Sequence, residues 1–232
     1  MEKLIGWKKT CNRYVCFIDI MGFKDMVNRN SPKDIYEALH FVTSISKAGA
    51  EFMKFKNKQK ETVFSVKTIT FSDSIVLFTR NDSDLCLEFL AFVSSVILSS
   101  SIKEGIPIKG SISTGLMTVD FENSIFFGQP LIDAYTLQND LYYYGIVIDN
   151  LVEIKYEKLL FKRPSSKFFK RHLTPFKNGK INHYIVGYST ELEFDIEKLY
   201  LTVSGHARKY VDNTKEVYTE SESLGFSLTI EK

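Results

Sequence analysis

Apolar and polar positions along the chain separate into short continuous runs and longer stretches of helical period. Tyr14-Val-Cys-Phe-Ile-Asp-Ile20 is an apolar run with one acid near its end, the pattern of a buried strand. Ser31-Pro-Lys-Asp34 supplies a capping hydroxyl, a proline at the first helical position and an acid in the first turn. Ile35, Leu39, Val42 and Ile45 then recur at helical spacing, and 54–60 reads as a lysine-rich loop. Residues 63–80 hold two β-rich runs that meet at Ser72-Asp73-Ser74 in a tight hairpin. An amphipathic helix is predicted over 85–99, a strand over 106–116, and a short strand closing at Phe126-Phe127-Gly128. Pro130 opens a helix that turns Leu131, Ala134 and Leu137 inward, and 145–149 is a further strand. The order β-α-β-β-α-β-β-α-β predicts an α/β (α+β) fold, a mixed central sheet flanked by helices.

Composition narrows the field. A chain of 232 residues with 44% hydrophobic and 25% charged positions can bury a sizeable core and is read as a single domain. Its parts are core motifs over 14–149, strands and a basic segment over 150–188, and an acidic C-terminal extension over 189–232. A net charge of +2 exerts no global pull toward nucleic acid or a membrane surface. Three cysteines, with no CxxC, support neither a disulfide framework nor a zinc site. The most apolar stretch, 85–98, is interrupted by Glu88 and falls short of the roughly 20 residues of a membrane span. The N-terminal apolar run is too short for a signal peptide, so the expectation is a cytoplasmic protein.

Residues 158–180 carry eight Lys or Arg and no acid, whereas 189–232 carry nine acids and five bases. Such runs are commonly solvated faces. The sharper expectation is that the basic stretch docks a triphosphate or the acidic stretch of a second copy. Ile196, Leu199, Val203 and Ala207 predict a helix packed on the core.

Asp19 is the residue that demands a reason. An ionised carboxylate among Phe17, Ile18 and Ile20 is costly unless it is paired, neutral or metal-bound. Asp73 stands at a hairpin tip, where turn chemistry alone often places an acid. If the two strands are neighbours, the acids converge at one edge. Two such carboxylates make a hard, oxygen-lined cup suited to magnesium or manganese carrying phosphates.

These residues resemble the class III nucleotide cyclases. Phe17-Ile-Asp19-Ile-Met-Gly22-Phe23 resembles that family's opening F-x-D-I-x-G-F motif, and Thr70-Phe-Ser-Asp73-Ser-Ile-Val76 its second-metal hairpin, usually written G-D-S/A/C. Ile108-Lys-Gly-Ser-Ile-Ser-Thr-Gly115 is similar to the V-G-I-H-S/T-G strand, and Phe127 to Gln138 to the start of the G-x-x-V-N-x-A-x-R-L helix. The variant forms are most like the stand-alone pyrimidine (cytidylate/uridylate) cyclases of Pycsar anti-phage systems.

The resemblance implies a ferredoxin-like, palm-type fold and conversion of CTP or UTP to the 3′,5′-cyclic monophosphate plus pyrophosphate. It also implies two Mn2+ or Mg2+ ions per site, held by Asp19, Asp73 and the Ile20 carbonyl. Gly22, Phe23 and Lys24 would present backbone donors to the terminal phosphates. A homodimer with sites at its interface is implied too, as is a separate effector that answers the cyclic nucleotide. The alternatives are an adenylyl or guanylyl cyclase, or a non-catalytic nucleotide sensor on the same fold.

Two departures from the family pattern matter. Purine cyclases carry Lys or Glu four residues before the hairpin aspartate; here that position is Ile69, with Lys67 one pair further along the same face. A pocket without that handle favours the smaller pyrimidine base. The helix Asn and Arg that serve the transition state align with Ile132 and Thr136. Lys109 is the preferred replacement cation, ahead of Arg80 and Arg163, Tyr135 is a candidate to stack on the base, and Phe17 is a further candidate for binding the substrate.

Overall fold

The computed structural model describes residues 7–57, 66–164, 168–188 and 196–222. Strand β1 (Thr10–Ile20) leads through a short helix α1 (Phe23–Arg29) and a long α2 (Pro32–Asn57) to the hairpin β2 (Val66–Phe71) and β3 (Ser74–Thr79). Helix α3 (Asp84–Lys103), strands β4 (Ile108–Asp120) and β5 (Ile125–Gly128), helix α4 (Gln129–Asp140) and strand β6 (Ile146–Ile148) follow. Helix α5 (Asn150–Lys162), the hairpin β7 (Phe169–Phe176) and β8 (Gly179–Val186), two 3-10 turns (Ile196–Leu201 and Gly205–Ala207) and α6 (Arg208–Glu222) complete it.

The strands form one sheet in the order β2-β3-β1-β4-β6-β8-β7, with β5 pairing the far half of β4. The β4–β6 pair is parallel and the others are antiparallel, so the sheet is mixed, as the strand and helix order predicts. β1 lies near its centre. Side-chain alternation along β1 sends Tyr14, Cys16, Ile18 and Ile20 into the main core with α3. Val15 and Phe17 go to a second, smaller core with Val76, Phe78, Met117 and Ala134 of α4. Burial on both faces explains why the run reads as continuously apolar. It also puts Asp19 on the α4 side.

Local signals are satisfied where the sequence places them. Ser31 Oγ donates to Asp34 at 2.7 Å and accepts from its backbone N–H at 3.3 Å, closing the predicted cap of α2. The hairpin turn is the two residues Ser72 and Asp73, with Ser72 at φ 55°. Other elements differ. The lysine-rich stretch begins inside α2, which runs to Asn57, and 58–65 lies outside the described residues. Residues 150–162, grouped with strands on sequence, form helix α5, capped by the Asp149 carboxylate on the Val152 N–H at 2.8 Å. The helix expected around Ile196, Leu199, Val203 and Ala207 is replaced by 3-10 turns, and the regular helix starts at Arg208.

Helix α3 is apolar on more than one face, because it packs against the sheet, α2 and the 3-10 segment together. It is long and apolar enough to cross a membrane by composition, yet 72% of its most apolar window is buried within the fold. It is a core helix.

The basic and acidic regions find each other within one chain. Lys180 pairs with Glu216 of α6, His172 Nε2 lies 2.8 Å from Glu220, and Lys170 donates to the Glu220 carbonyl at 3.1 Å. Arg171 pairs with Glu157 and Arg163 with Glu88, each at 3.1 Å. The first three lash α6 to the β7–β8 hairpin, whereas Glu157 of α5 and Glu88 of α3 lie outside the acidic region. Together the contacts take up charges that the sequence reading assigned to a triphosphate or a second copy.

Candidate active site

β1 ends at the site. Asp19 lies in register with Ser74 of β3 on one side and Lys109 of β4 on the other. One residue on, the Ile20 N–H donates to the Asp73 carbonyl at 2.9 Å, which ties the hairpin turn to the end of β1. Asp19 and Asp73 therefore meet at the same edge of the sheet. Burial pushes the Asp19 carboxyl up to about 6; Lys109 opposes that shift and the negative charge of Asp73 adds to it.

Lys109 is 3% exposed. Burial lowers its pKa, the Asp19 charge raises it, and Lys177 and Asp140 act on it from the far side. Its ammonium donates to the Asn139 carbonyl at the end of α4, at 3.5 Å. An aspartate, a second aspartate and a buried lysine thus share one end of the sheet.

The chain leaves β1 through Met21 and Gly22. Gly22 sits at φ 74°, and a Cβ there would meet nothing within 4 Å. Its value is the left-handed turn rather than space. That turn starts α1 at Phe23, so the backbone N–H groups of Phe23 and Lys24 open the helix beside Ile20, while Phe23 packs on the main core and Lys24 is exposed.

On the α4 side of the sheet lies an open cavity of about 350 Å3, walled by Phe17, Ile69, Phe71, Val76, Leu131 and Ile132, with Ser74 and Tyr135 at its edges. Strand register explains the wall. Phe17, Val76 and Ile69 form one row across β1, β3 and β2, and Asp19, Ser74 and Phe71 the next. Tyr135 meets Phe17 edge-on, with ring centres 5.3 Å apart. The row of Asp19 and Lys109 thus adjoins an apolar recess.

Among the sequence candidates, Phe17, Ile69 and Tyr135 line the cavity. Lys67 pairs with Phe78 one row further away and is not part of the wall. Arg80 and Arg163 sit at the opposite end of the sheet. Arg80 follows Thr79, whose hydroxyl bonds Tyr14, and Arg163 pairs with Asp84 and Glu88 of α3. Five strand residues separate Tyr14 from Asp19, roughly 16 Å, so neither arginine serves Asp19 of its own chain. Lys109 does face it.

Sequence reasoning missed the C-terminal side of the site. The Tyr210 hydroxyl of α6 is pushed up by burial, by Tyr142 and by the Asp19 charge, which places α6 within electrostatic reach of the acid. Lys177 and Asp140 act on Lys109. No local pattern marks these residues, because the chain separation is closed only by the docking of α6 and the β7–β8 turn.

Neither a protein-family model nor a curated protein matches the chain. Solved structures do. The non-canonical dimeric guanylyl cyclase domain of the RhoGC fusion protein from the aquatic fungus Blastocladiella emersonii superposes with a TM-score of 0.56 at 17% identity, over 78% of this chain and 96% of that one. The catalytic core of a rhodopsin-guanylyl cyclase with converted specificity, in complex with ATPαS, gives 0.52 at 18% identity, over 78% and 98%. The guanylate cyclase domain from Catenaria anguillulae in complex with GTP gives 0.50 at 19%, over 78% and 99%. The fold is that of the class III nucleotide cyclase catalytic domain. At these identities the likeness is one of architecture.

Among the described residues no three acid, histidine or cysteine side chains converge, so a closed, all-protein metal cage is excluded there. Two carboxylates and a neighbouring backbone carbonyl remain, an open set of hard oxygen donors that leaves coordination positions to phosphate and water. The Asp73 charge beside Asp19 adds to the burial that raises its carboxyl, and a bound cation would relieve that like-charge repulsion. The residues fit magnesium or manganese arriving with a nucleotide.

Proposed function

We propose that this chain is a pyrimidine nucleotide cyclase that converts CTP or UTP to the 3′,5′-cyclic monophosphate and pyrophosphate. The observation that carries the reading is the meeting of Asp19 and Asp73 at one sheet edge, with Lys109 in register beside them and an apolar recess next door. Asp19, Asp73 and the Ile20 carbonyl would hold two Mg2+ or Mn2+ ions. Such ions, when bound, lower the ribose hydroxyl's pKa and neutralise phosphate charge.

The chain's own groups do the rest. The Phe23 and Lys24 N–H groups, aimed by the Gly22 turn, suit the terminal phosphates. Lys109 supplies a fixed positive charge close to the acids, in place of the family arginine at Thr136. Phe17, Tyr135 and Ile69 present an apolar surface to the base. Ile69 offers no hydrogen bond to a purine edge, and a recess of about 350 Å3 suits the smaller ring.

A homodimer completes the reading. Phe71 (83% exposed), Ile132 and Tyr135 present large apolar side chains to solvent on the hairpin and α4, and a second copy seated there would close the recess. The cyclic product would act on a separate effector, in keeping with the anti-phage resemblance.

A second reading is favoured by one observation. Ile132 and Thr136 carry no charge where the family places Asn and Arg, which suits a sensor that binds nucleotide without turning it over.

The test is to offer each of the four nucleoside triphosphates with Mn2+ and identify products by mass spectrometry. Cyclic CMP or cyclic UMP with pyrophosphate is expected, and Asp73→Asn should lower the rate at least 100-fold without unfolding the protein. Cyclic AMP or GMP as main product defeats the pyrimidine assignment. Nucleotide binding without pyrophosphate establishes the sensor.

A further inference from the structure

The C-terminal helix α6 reaches the site through the segment that joins α4 to β6. Both ends of Lys109 are referenced to that segment. Its ammonium donates to the Asn139 carbonyl at 3.5 Å, and the next backbone N–H along β4, that of Gly110, donates to the Gly145 carbonyl at 2.9 Å. Residues 139–145 therefore form a bracket around the lysine.

α6 pins the middle of the bracket. Asn213 Nδ2 donates to the Tyr142 carbonyl at 2.6 Å, and the Tyr144 N–H donates to Thr214 Oγ1 at 2.8 Å. The Tyr210 ring meets Tyr142 edge-on at 4.5 Å and stacks on Tyr144 at 5.6 Å. Asn213 and Thr214 are both buried, so these bonds form away from competing water and are costly to leave unmade. On the other side, the Tyr142 N–H donates to the Pro175 carbonyl at 3.1 Å and the Lys177 N–H to the Asp140 carbonyl at 2.8 Å. The bracket is held between α6 and the β7–β8 hairpin. The ion pairs Lys180–Glu216 and His172–Glu220 join those two holders to each other.

We propose that Asn213 and Thr214 of α6 are positioning residues: they hold the 139–145 bracket so that the buried Lys109 ammonium stays aimed at the Asp19 end of the sheet. α6 is then a working part of the site. This rests on the proposed cyclase reading for its kinetic consequence and on geometry alone for the placement of Lys109.

The test uses Asn213→Ala and Thr214→Val, with Thr214→Ser as the variant that keeps the hydroxyl and Lys180→Ala as a variant that loosens α6 at its solvent side without touching the bracket. Two readouts are taken. The first is cyclisation kinetics. Asn213→Ala and Thr214→Val are expected to lower kcat about tenfold with KM changed less than threefold, Thr214→Ser and Lys180→Ala to stay within twofold of wild type, and the loss to vanish in a Lys109→Ala background. The second readout needs no activity: the rate at which an amine-acylating reagent labels Lys109, followed by peptide mass mapping of the folded protein. Asn213→Ala and Thr214→Val should raise that rate at least fivefold, and Thr214→Ser should not. A kinetic loss that persists in full without Lys109, or a Lys109 labelling rate unchanged in both variants, overturns the proposal. A wild-type protein with no cyclase activity defeats the cyclase reading, and the labelling rates alone then decide the positioning role.

Discussion

With burial and the Asp73 charge holding its carboxyl at about 6, Asp19 is kept ionised at neutral pH at some expense to the fold. Its folded-state pKa lies above the unfolded value of roughly 3.9, so the folded protein binds the extra proton. The stability this provides is present in full below about pH 4 and is lost as pH rises through about 6. In metal-free protein the melting temperature of Asp19→Asn, relative to wild type, should therefore rise between pH 4 and pH 6 and stay constant above, while cyclisation is lost. A difference independent of pH would mean that Asp19 is solvated and unperturbed. Asp120 shows the opposite case: hydrogen bonds from Lys9 and Asn123 hold it down at about 2, the condition of an acid kept for structure. The Asp19 anomaly was legible in sequence as a charge inside an apolar run. Its partner Lys109 was named there without any sign that it is buried.

At the scale of elements, the hairpin that carries Asp73 is strained. Ser72 takes φ 55° at the first position of a two-residue turn, where glycine is favoured because a Cβ crowds the backbone in the left-handed region. The resembled hairpin motif has glycine at that position. Ser72→Gly should stabilise the protein by about 0.5–1 kcal/mol, read as a higher urea midpoint at unchanged slope. A midpoint equal to or below wild type would show that Ser72 is not strained. Elements set by local chemistry were legible. The Ser31–Asp34 box starts α2, and alternation and turn residues mark the β2–β3 pair. Helix α3 was read as amphipathic over 85–99, but it runs over Asp84–Lys103 and is buried on several sides. Its exposure depends on α2 and the 3-10 segment packing against it, which helical period does not encode.

For the whole molecule, the apolar side chains left exposed on the hairpin and α4 predict a dimer in solution. Phe71 is 83% and Ile132 57% exposed beside the recess, and large apolar groups gathered on one side of a domain mark a contact surface. The protein should sediment as a dimer at micromolar concentration. Phe71→Asp should yield a monomer with a melting temperature within about 2 °C of the wild-type protein and little cyclisation. An active wild-type monomer would refute the shared-site arrangement.

Sequence by itself determined the strand that holds Asp19, the hairpin that holds Asp73, the glycine turn between β1 and α1, and the mixed-sheet class. The strand and the hairpin follow from residues adjacent in the chain, through a continuous apolar run and turn chemistry, and the glycine turn from the family resemblance of its motif. Tertiary structure alone decided that Asp19 lies between Ser74 and Lys109, that Arg80 and Arg163 fall at the other end of the sheet, and that α6 braces the segment behind Lys109. Those outcomes depend on strand register and on the docking of elements tens of residues apart, where small differences in buried surface and hydrogen bonding choose among arrangements that the local pattern allows equally.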